Sequence, residues 1–507
     1  MVLRFGNARS LLICLSLVFG VIGALTILLS VISPAAAQGI LDCESEDKPQ
    51  VPGAADQNAD CLSDLTTRTL ELDSDHTNPT DWEGLHAPET VNPAGPPDQL
   101  IPGLQIDGYF PDGSDDTNCN NQEDFGVGEC HDSQFVIRLP NEWNGKLVIT
   151  GASGVRRQFA NDFIISDFVL SKDYEEEGGY AFASTDKGNT GTSFYEDGER
   201  PGDAVAEWHR RVEQLTKAAK DTVEQWYGKK PEYTYMTGIS NGGYLTRYAV
   251  ENTPGLYDGA VDWEGTLFRR NGPNLFTHLP QALRHYPECE ASKPAYDNHA
   301  CDLMYRAGYR RGSEFLWPEH HVEYWDLTQR IYREEFDPGY DGEQKAGYPM
   351  CQEEITPPPK CDANYRYKKR PETVKDRVGR VSLTGDIGVP MLTLHGTLDS
   401  LLPIRRHSNP YRQLIENQGK GNMHRYYVIE DGNHVDDWYE RYRTELRPIL
   451  PCYWAAFEEI EEWVEQPDSP NGLPPRSKFV PKPEDPGANL ANNCSINGEA
   501  TYSPPAG

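Results

Sequence analysis

Gly238-Ile-Ser240-Asn-Gly242 is the string in this chain with the most chemistry in it. It follows an apolar run, residues 233–237, and precedes a helical pattern, residues 244–250. That context predicts a strand, a sharp turn presenting the Ser240 hydroxyl, and a helix whose positive N-terminus faces the oxygen that becomes charged in acyl transfer. The flanking glycines suit a turn with no room for neighbouring side chains. A serine hydroxyl needs a base and an orienting acid to act as a nucleophile at neutral pH. His434 stands just past the apolar run 425–429, and Asp399 just past the run 389–394. The order Ser, Asp, His along the chain fits Ser240 as nucleophile, His434 as general base and Asp399 as the acid. An ordinary glycine-rich turn between strand and helix is the alternative, and the partners weigh against it. Asp262, after the strand-like 257–262, competes with Asp399 for the acid's role. His395 reads as support for the Asp399 loop, and Asp436 and Asp437 as local charge beside His434. His209, His320 and His321 read as structural or as part of an insertion. Two backbone donors are needed for an oxyanion. One is expected from Asn241, after the nucleophile, and the other from Gly151 or Ala152, after an earlier strand.

The elements that must hold these residues recur in a simple rhythm. Strands are expected at 133–139, 146–150, 179–185, 233–237, 257–262, 389–394 and 425–429. Helices are expected at 205–227, 244–250, 410–416 and 453–465. In the first of these Val205, Trp208, Val212, Leu215, Ala219, Val223 and Trp226 recur at three-to-four spacing, and Gly228 sits where a helix C-cap belongs. Short apolar strands alternating with amphipathic helices imply an α/β fold, a mostly parallel sheet flanked by helices, with its site at the strand ends. The rhythm stops over 276–384, which reads as a lid inserted between core halves 133–275 and 385–466. Its aromatic residues Trp317, Tyr324, Trp325, Tyr332 and Tyr348 either pack the lid's own core or stack on a substrate ring, with Trp317 and Trp325 taken as the substrate contacts. Arg306, Arg310 and Arg311 read as a solvated basic face. Residues 38–132 read as an irregular segment pinned on the core by disulfides, and 467–507 as a Pro-rich surface tail.

Residues 1–37 read as an export signal: Arg4 and Arg9, an uncharged apolar run over 11–32, then Ala35-Ala-Ala37. The run approaches the length of about 20 residues that spans a membrane, so a retained anchor is the alternative. Of the 11 Cys, Cys14 lies in that leader, and the even remainder contains no Cys-x-x-Cys. Disulfides in an oxidising compartment are therefore expected, paired by proximity as Cys43–Cys61, Cys119–Cys130, Cys289–Cys301, Cys351–Cys361 and Cys452–Cys494. The formal net charge of -32 argues against nucleic acid or anionic lipid as a partner. Asp112, Asp115 and Asp116 could suit calcium, but the spacing is not an EF-hand's, and a solvated acidic loop is the reading. No metal or cofactor is expected. The partner expected is a small-molecule or oligomeric ester.

The chain resembles the tannase and feruloyl esterase family of α/β hydrolases. The resemblance is carried by Ala183-Ser-Thr-Asp186-Lys-Gly-Asn, by 208–228, by Tyr233-Thr-Tyr-Met-Thr-Gly-Ile-Ser240-Asn-Gly-Gly and by Tyr257-Asp-Gly-Ala. It implies an α/β-hydrolase fold with a large lid and ester hydrolysis, often of aromatic acids, by a Ser-His-Asp triad. Members commonly join a cysteine beside the serine to one beside the histidine; here those positions are Ile239 and Val435. The Ser240-Asn-Gly-Gly string is also similar to secreted 3-hydroxybutyrate oligomer hydrolases. A relative that binds without catalysing is the reading from a different class of function.

Overall fold

The computed structural model describes residues 43, 47–67, 100–111, 133–340, 362–436, 438–439, 441–466, 473, 476–482, 494 and 496. The leader, the Asp112–Asp116 cluster, Tyr348, Asp437 and the cysteine pairs 119/130 and 351/361 lie outside these residues.

A ten-stranded sheet forms the centre. In chain order its strands are β1 (Asp56–Leu62), β2 (Gly103–Phe110), β3 (Ser133–Pro140), β4 (Trp143–Gly151), β5 (Gly179–Thr185), β6 (Tyr233–Ile239), β7 (Gly259–Trp263), β8 (Met391–Gly396), β9 (His424–Ile429) and β10 (Lys478–Val480). Their spatial order is β1-β2-β3-β5-β4-β6-β7-β8-β9-β10. The first three pairings are antiparallel and all those from β5–β4 onward are parallel.

Side-chain alternation divides the core in two. Leu147, Ile149, Ala181, Ala183, Met236 and Ala260 point to one face, and Val148, Tyr180, Phe182, Tyr235, Val261 and Leu392 to the other. On the first face lie α1 (Asp203–Tyr227) and α2 (Asn241–Asn252). The expected stripe of α1 is buried, and Gly228 closes it at φ 72°, donating to the Glu224 carbonyl. The insertion contributes α3 (Leu279–Glu290), α4 (His299–Ala307), α5 (Trp317–Glu323), α6 (Trp325–Phe336) and α7 (Glu372–Arg380). After β8 comes α8 (Ser408–Asn417), and α9 (Leu450–Glu465) covers the second face through Tyr453, Phe457 and Ile460.

Three expectations are corrected. The segment 38–132 is not irregular throughout, because it supplies β1 and β2. The tail adds β10 alongside β9, buries Ile496, and is tied through Cys494 to Cys452 of α9. The described residues of the insertion share the core beneath the sheet. Phe276, Leu279, Trp325 and Phe336 belong to the same apolar cluster as Trp208 and Leu245 under the sheet. Disulfides Cys43–Cys61, Cys289–Cys301 and Cys452–Cys494 are present. Among the described residues no helix is long and apolar enough to cross a membrane.

Candidate active site

Ser240 sits between β6 and α2 with φ 58° and ψ -112°. A non-glycine residue held there costs of order 1–3 kcal/mol. Packing that leaves no alternative keeps it in place: a Cβ on Gly238 would stand 2.4 Å from the backbone of Gly242, and one on Gly242 would stand 2.5 Å from the Gly151 carbonyl. The Ser240 N–H donates to Trp263 of β7, and its carbonyl accepts from Tyr244 in the first turn of α2.

The loops after β8 and β9 meet beside it. Gly396 makes this possible, since a Cβ there would lie 2.3 Å from the Gly432 carbonyl. The Leu398 N–H then donates to Gly432, fastening the acid loop to the histidine loop. His434 Nε2 lies 3.0 Å from Ser240 Oγ, and Nδ1 lies 2.9 Å from Asp399 Oδ2. The other oxygen of Asp399 accepts from the N–H groups of Leu401 and Leu402, at 2.8 and 2.7 Å. Burial pushes the Asp399 carboxyl up, but the imidazoles of His434 and His395 outweigh it and hold the carboxyl well below the usual range.

His395 supports this loop from within. Arg247 donates to Ser408 Oγ, which in turn faces His395 Nδ1 at 2.7 Å. The serine is then placed to donate its own proton, leaving His395 Nε2–H to serve the Leu402 carbonyl at 2.9 Å and Asp399 at 3.2 Å. Asp262 has a different role. It is fully buried against Arg247, 2.7 Å away, and accepts from the Gly265 N–H and Thr393 Oγ1. Asp436 is also structural, capping α9 through the N–H groups of Ile449 and Leu450; burial raises its carboxyl to about 7.

Sequence reading missed Glu264, one residue past β7. It is fully buried at φ 52°, accepts from the Gly396 N–H, and brings Oε2 to 3.2 Å from His434 Nδ1. Two signals were available: its place at the carboxyl end of a central strand, and its carboxylate chemistry. Atoms of Glu264, Asp399 and His434 lie within 4.8 Å of one another. A metal would have to compete there for imidazole nitrogens already engaged by Ser240 and Asp399.

The expected oxyanion segment shifts by a residue or two. The Ala152 N–H donates to Thr185, and neither Gly151 nor Ala152 lines the cavity over Ser240, whereas Ser153 and Gly154 do. Lys187, fully buried, donates to the Ala152 carbonyl at 2.8 Å. Because the carbonyl and N–H of a trans peptide point in opposite directions, this bond turns the Ser153 N–H away from Lys187. Burial pulls the Lys187 amine down to about 7, against the charge of Asp186. Asn241 also lines the cavity. Its N–H is at the first position of α2, where no intrahelical acceptor exists. Its side chain donates to Gly154 O at 2.8 Å and to Tyr332 Oη at 2.6 Å.

The cavity holds about 200 Å³ and is walled on the insertion side by Tyr324, Leu327, Ile331 and Tyr332, with His320 and Trp438 at its edge. Trp317 and Trp325, taken from sequence as substrate contacts, are absent from this wall. Both are fully buried, with their indole N–H groups bonded to Ser313 Oγ and the Ser400 carbonyl. They are residues of the main core, and among the insertion's aromatic residues it is Tyr324 and Tyr332 that border the cavity. His320 is buried with neither ring nitrogen hydrogen-bonded among the described residues, and burial draws its imidazole down to about 3. His209 is likewise structural, its Nε2 lying 2.6 Å from Tyr244 Oη.

Residues 124–264 match the family model of tannase and feruloyl esterase. That stretch contains the serine turn, its helix and Glu264. Over 143 residues the chain is 28% identical to mono(2-hydroxyethyl) terephthalate hydrolase of Piscinibacter sakaiensis, covering 26% of this chain and 23% of that protein. Over 182 residues it is 29% identical to a probable feruloyl esterase of Arthroderma benhamiae, covering 33% and 32%. The matches thus span about a quarter to a third of the length of those relatives. Among solved structures, tannin acyl hydrolase from Aspergillus niger aligns at 13% identity and TM-score 0.45, covering 81% of this chain and 83% of that one. Feruloyl esterase B from Aspergillus oryzae aligns at 13% and 0.44, covering 66% and 75%. The mostly parallel sheet, with the serine turn after β6 and the acid and histidine loops after β8 and β9, is the arrangement of an α/β-hydrolase fold. Where the family commonly has its cysteine pair, Ile239 and Val435 belong to one apolar cluster behind the serine and histidine.

Proposed function

We propose that this protein is a secreted carboxylic-ester hydrolase working through an acyl-enzyme on Ser240. The observation that carries this reading is the hydrogen-bonded chain Ser240–His434–Asp399 opening onto an apolar cavity. His434 Nε2 takes the Ser240 proton as Oγ attacks the ester carbonyl, and Asp399 steadies the imidazolium. The Asn241 N–H and the Ser153 peptide receive the oxyanion, near the positive end of α2. His434 returns the proton to the leaving alcohol. A water then repeats the sequence on the acyl-enzyme, releasing the acid.

A dry cavity of about 150 Å³ accepts a benzene ring, so one of this size suits a single substituted aromatic acyl group. The disulfides and the leader support export.

Ser240→Ala and His434→Ala are each expected to lower kcat on an activated ester by roughly 10⁴–10⁶-fold. Turnover close to that of the unaltered protein in Ser240→Ala would reject the reading. A panel of gallate, ferulate, terephthalate and 3-hydroxybutyrate esters tests the acyl group. A preference for the aliphatic member would move the assignment to hydroxyalkanoate oligomers, and no cleavage together with no fluorophosphonate labelling would favour a binding protein.

A further inference from the structure

The second carboxyl group at His434 has no place in the mechanism above. Glu264 Oε2 lies 3.2 Å from Nδ1, on the same nitrogen that Asp399 Oδ2 approaches at 2.9 Å. The two carboxyl groups arrive from different strands, β7 and β8, and both are buried. Oε1 of Glu264 is fixed by the Gly396 N–H, whereas Oε2, although 3.2 Å from Nδ1, makes no hydrogen bond among the described residues. Two buried carboxylates this close, facing one imidazole nitrogen, do not both ionise. Asp399 holds two backbone N–H groups and His395 besides His434, so it keeps the charge and Glu264 keeps the proton. Burial, and then the charge of Asp399, push the Glu264 carboxyl well above the usual range. The groups facing it are Asp399, His434 and Asp436, together with the Gly396 N–H.

We propose that Glu264 is a second, reserve acid for His434: a neutral positioning residue that shares its proton with Asp399 in the resting protein and becomes the imidazole's anionic partner when Asp399 is neutralised. The proposal rests on the esterase reading for its kinetic consequence but not for its proton chemistry.

The test is a cycle of Asp399→Asn, Glu264→Gln and the double variant, followed on an activated ester across pH. Glu264→Gln preserves the shape and a hydrogen-bond donor, so kcat/KM is expected to fall less than about threefold. Replacing a triad Asp by Asn alone costs about 10⁴ where no second acid exists. Here Asp399→Asn is expected to lose less than about 100-fold, with the acid limb of its pH profile shifted as Glu264 ionises. Adding Glu264→Gln to it is expected to remove about 30-fold more. A double variant no slower than Asp399→Asn overturns the proposal, as does an Asp399→Asn loss near 10⁴.

A structural role would lower the melting temperature equally in both backgrounds and leave the pH profile unmoved, and that result also overturns it. A readout independent of turnover is the downfield proton resonance on His434 Nδ1, identified by its loss in His434→Ala. It is expected to persist in Asp399→Asn and vanish in the double variant; its absence from Asp399→Asn counts against the reserve acid even if the protein cleaves no ester.

Discussion

At the scale of single residues, the site is organised by what each buried polar group is bonded to. Asp262 and Asp399 are both acids near the ends of neighbouring strands, and the sequence leaves the choice between them open. The structure separates them by partner: a guanidinium for Asp262, an imidazole for Asp399. Glu264 escaped notice because a lone acid after Trp263 looks like the start of a polar turn, and nothing local reveals which direction its side chain takes. Lys187 illustrates a cost of the same kind. Its native amine titrates near 7, while an unfolded lysine titrates near 10.4. Between those values the unfolded chain binds the extra proton, so this residue's contribution to stability rises with pH through the window and its penalty is fully present below 7. Urea unfolding of Lys187→Met is expected to lose that rising component between pH 7 and 10, measured as the difference from the unaltered protein at each pH.

At the scale of elements, the strands and helices of the core were legible because each carries its own period. Tyr235 and Met236 face opposite layers, and α1 repeats at three-to-four spacing. The oxyanion segment was misplaced because β4 runs to Gly151 and Ala152 still bonds to Thr185, so the chain leaves the ladder later than the apolar run suggests. The edge strand β1 was missed because its sequence, DQNADCL, lacks the apolar alternation of a buried strand. The wall of the cavity was misassigned for a different reason. Adjacent positions on α6 and its lead-in, Tyr324 and Trp325, face the cavity and the core respectively, and composition does not distinguish them. Tyr332 of α6 receives the Asn241 amide and so couples the insertion to the proposed oxyanion donor. Tyr332→Phe is expected to lower kcat by about tenfold with little change in KM, because the bond positions a group that acts in the transition state. Steady-state kinetics on a small ester checks this.

At the scale of the whole molecule, the three disulfides among the described residues join cysteines close in the sequence or tie the tail to the core; two of them follow from proximity, and Cys452–Cys494 from being the pair left over. Cys452–Cys494 spans 42 residues, which on a chain-entropy basis stabilises by about 4 kcal/mol. Replacing both cysteines by serine is expected to lower the thermal midpoint in calorimetry while leaving ester turnover at 25 °C intact, since neither residue borders the cavity.

The covering over Ser240 is interlocked with the molecule beneath it. Tyr332 packs against Trp208 of α1 and Phe268, and Phe268 against Phe336, so the roof of the cavity and the foundation of the sheet are one aromatic mass. Such a roof does not swing open as a rigid flap without tearing its own support. On the proposed esterase reading, a cover tied down in this way is expected to favour chain ends and released fragments over the middle of a long polymer.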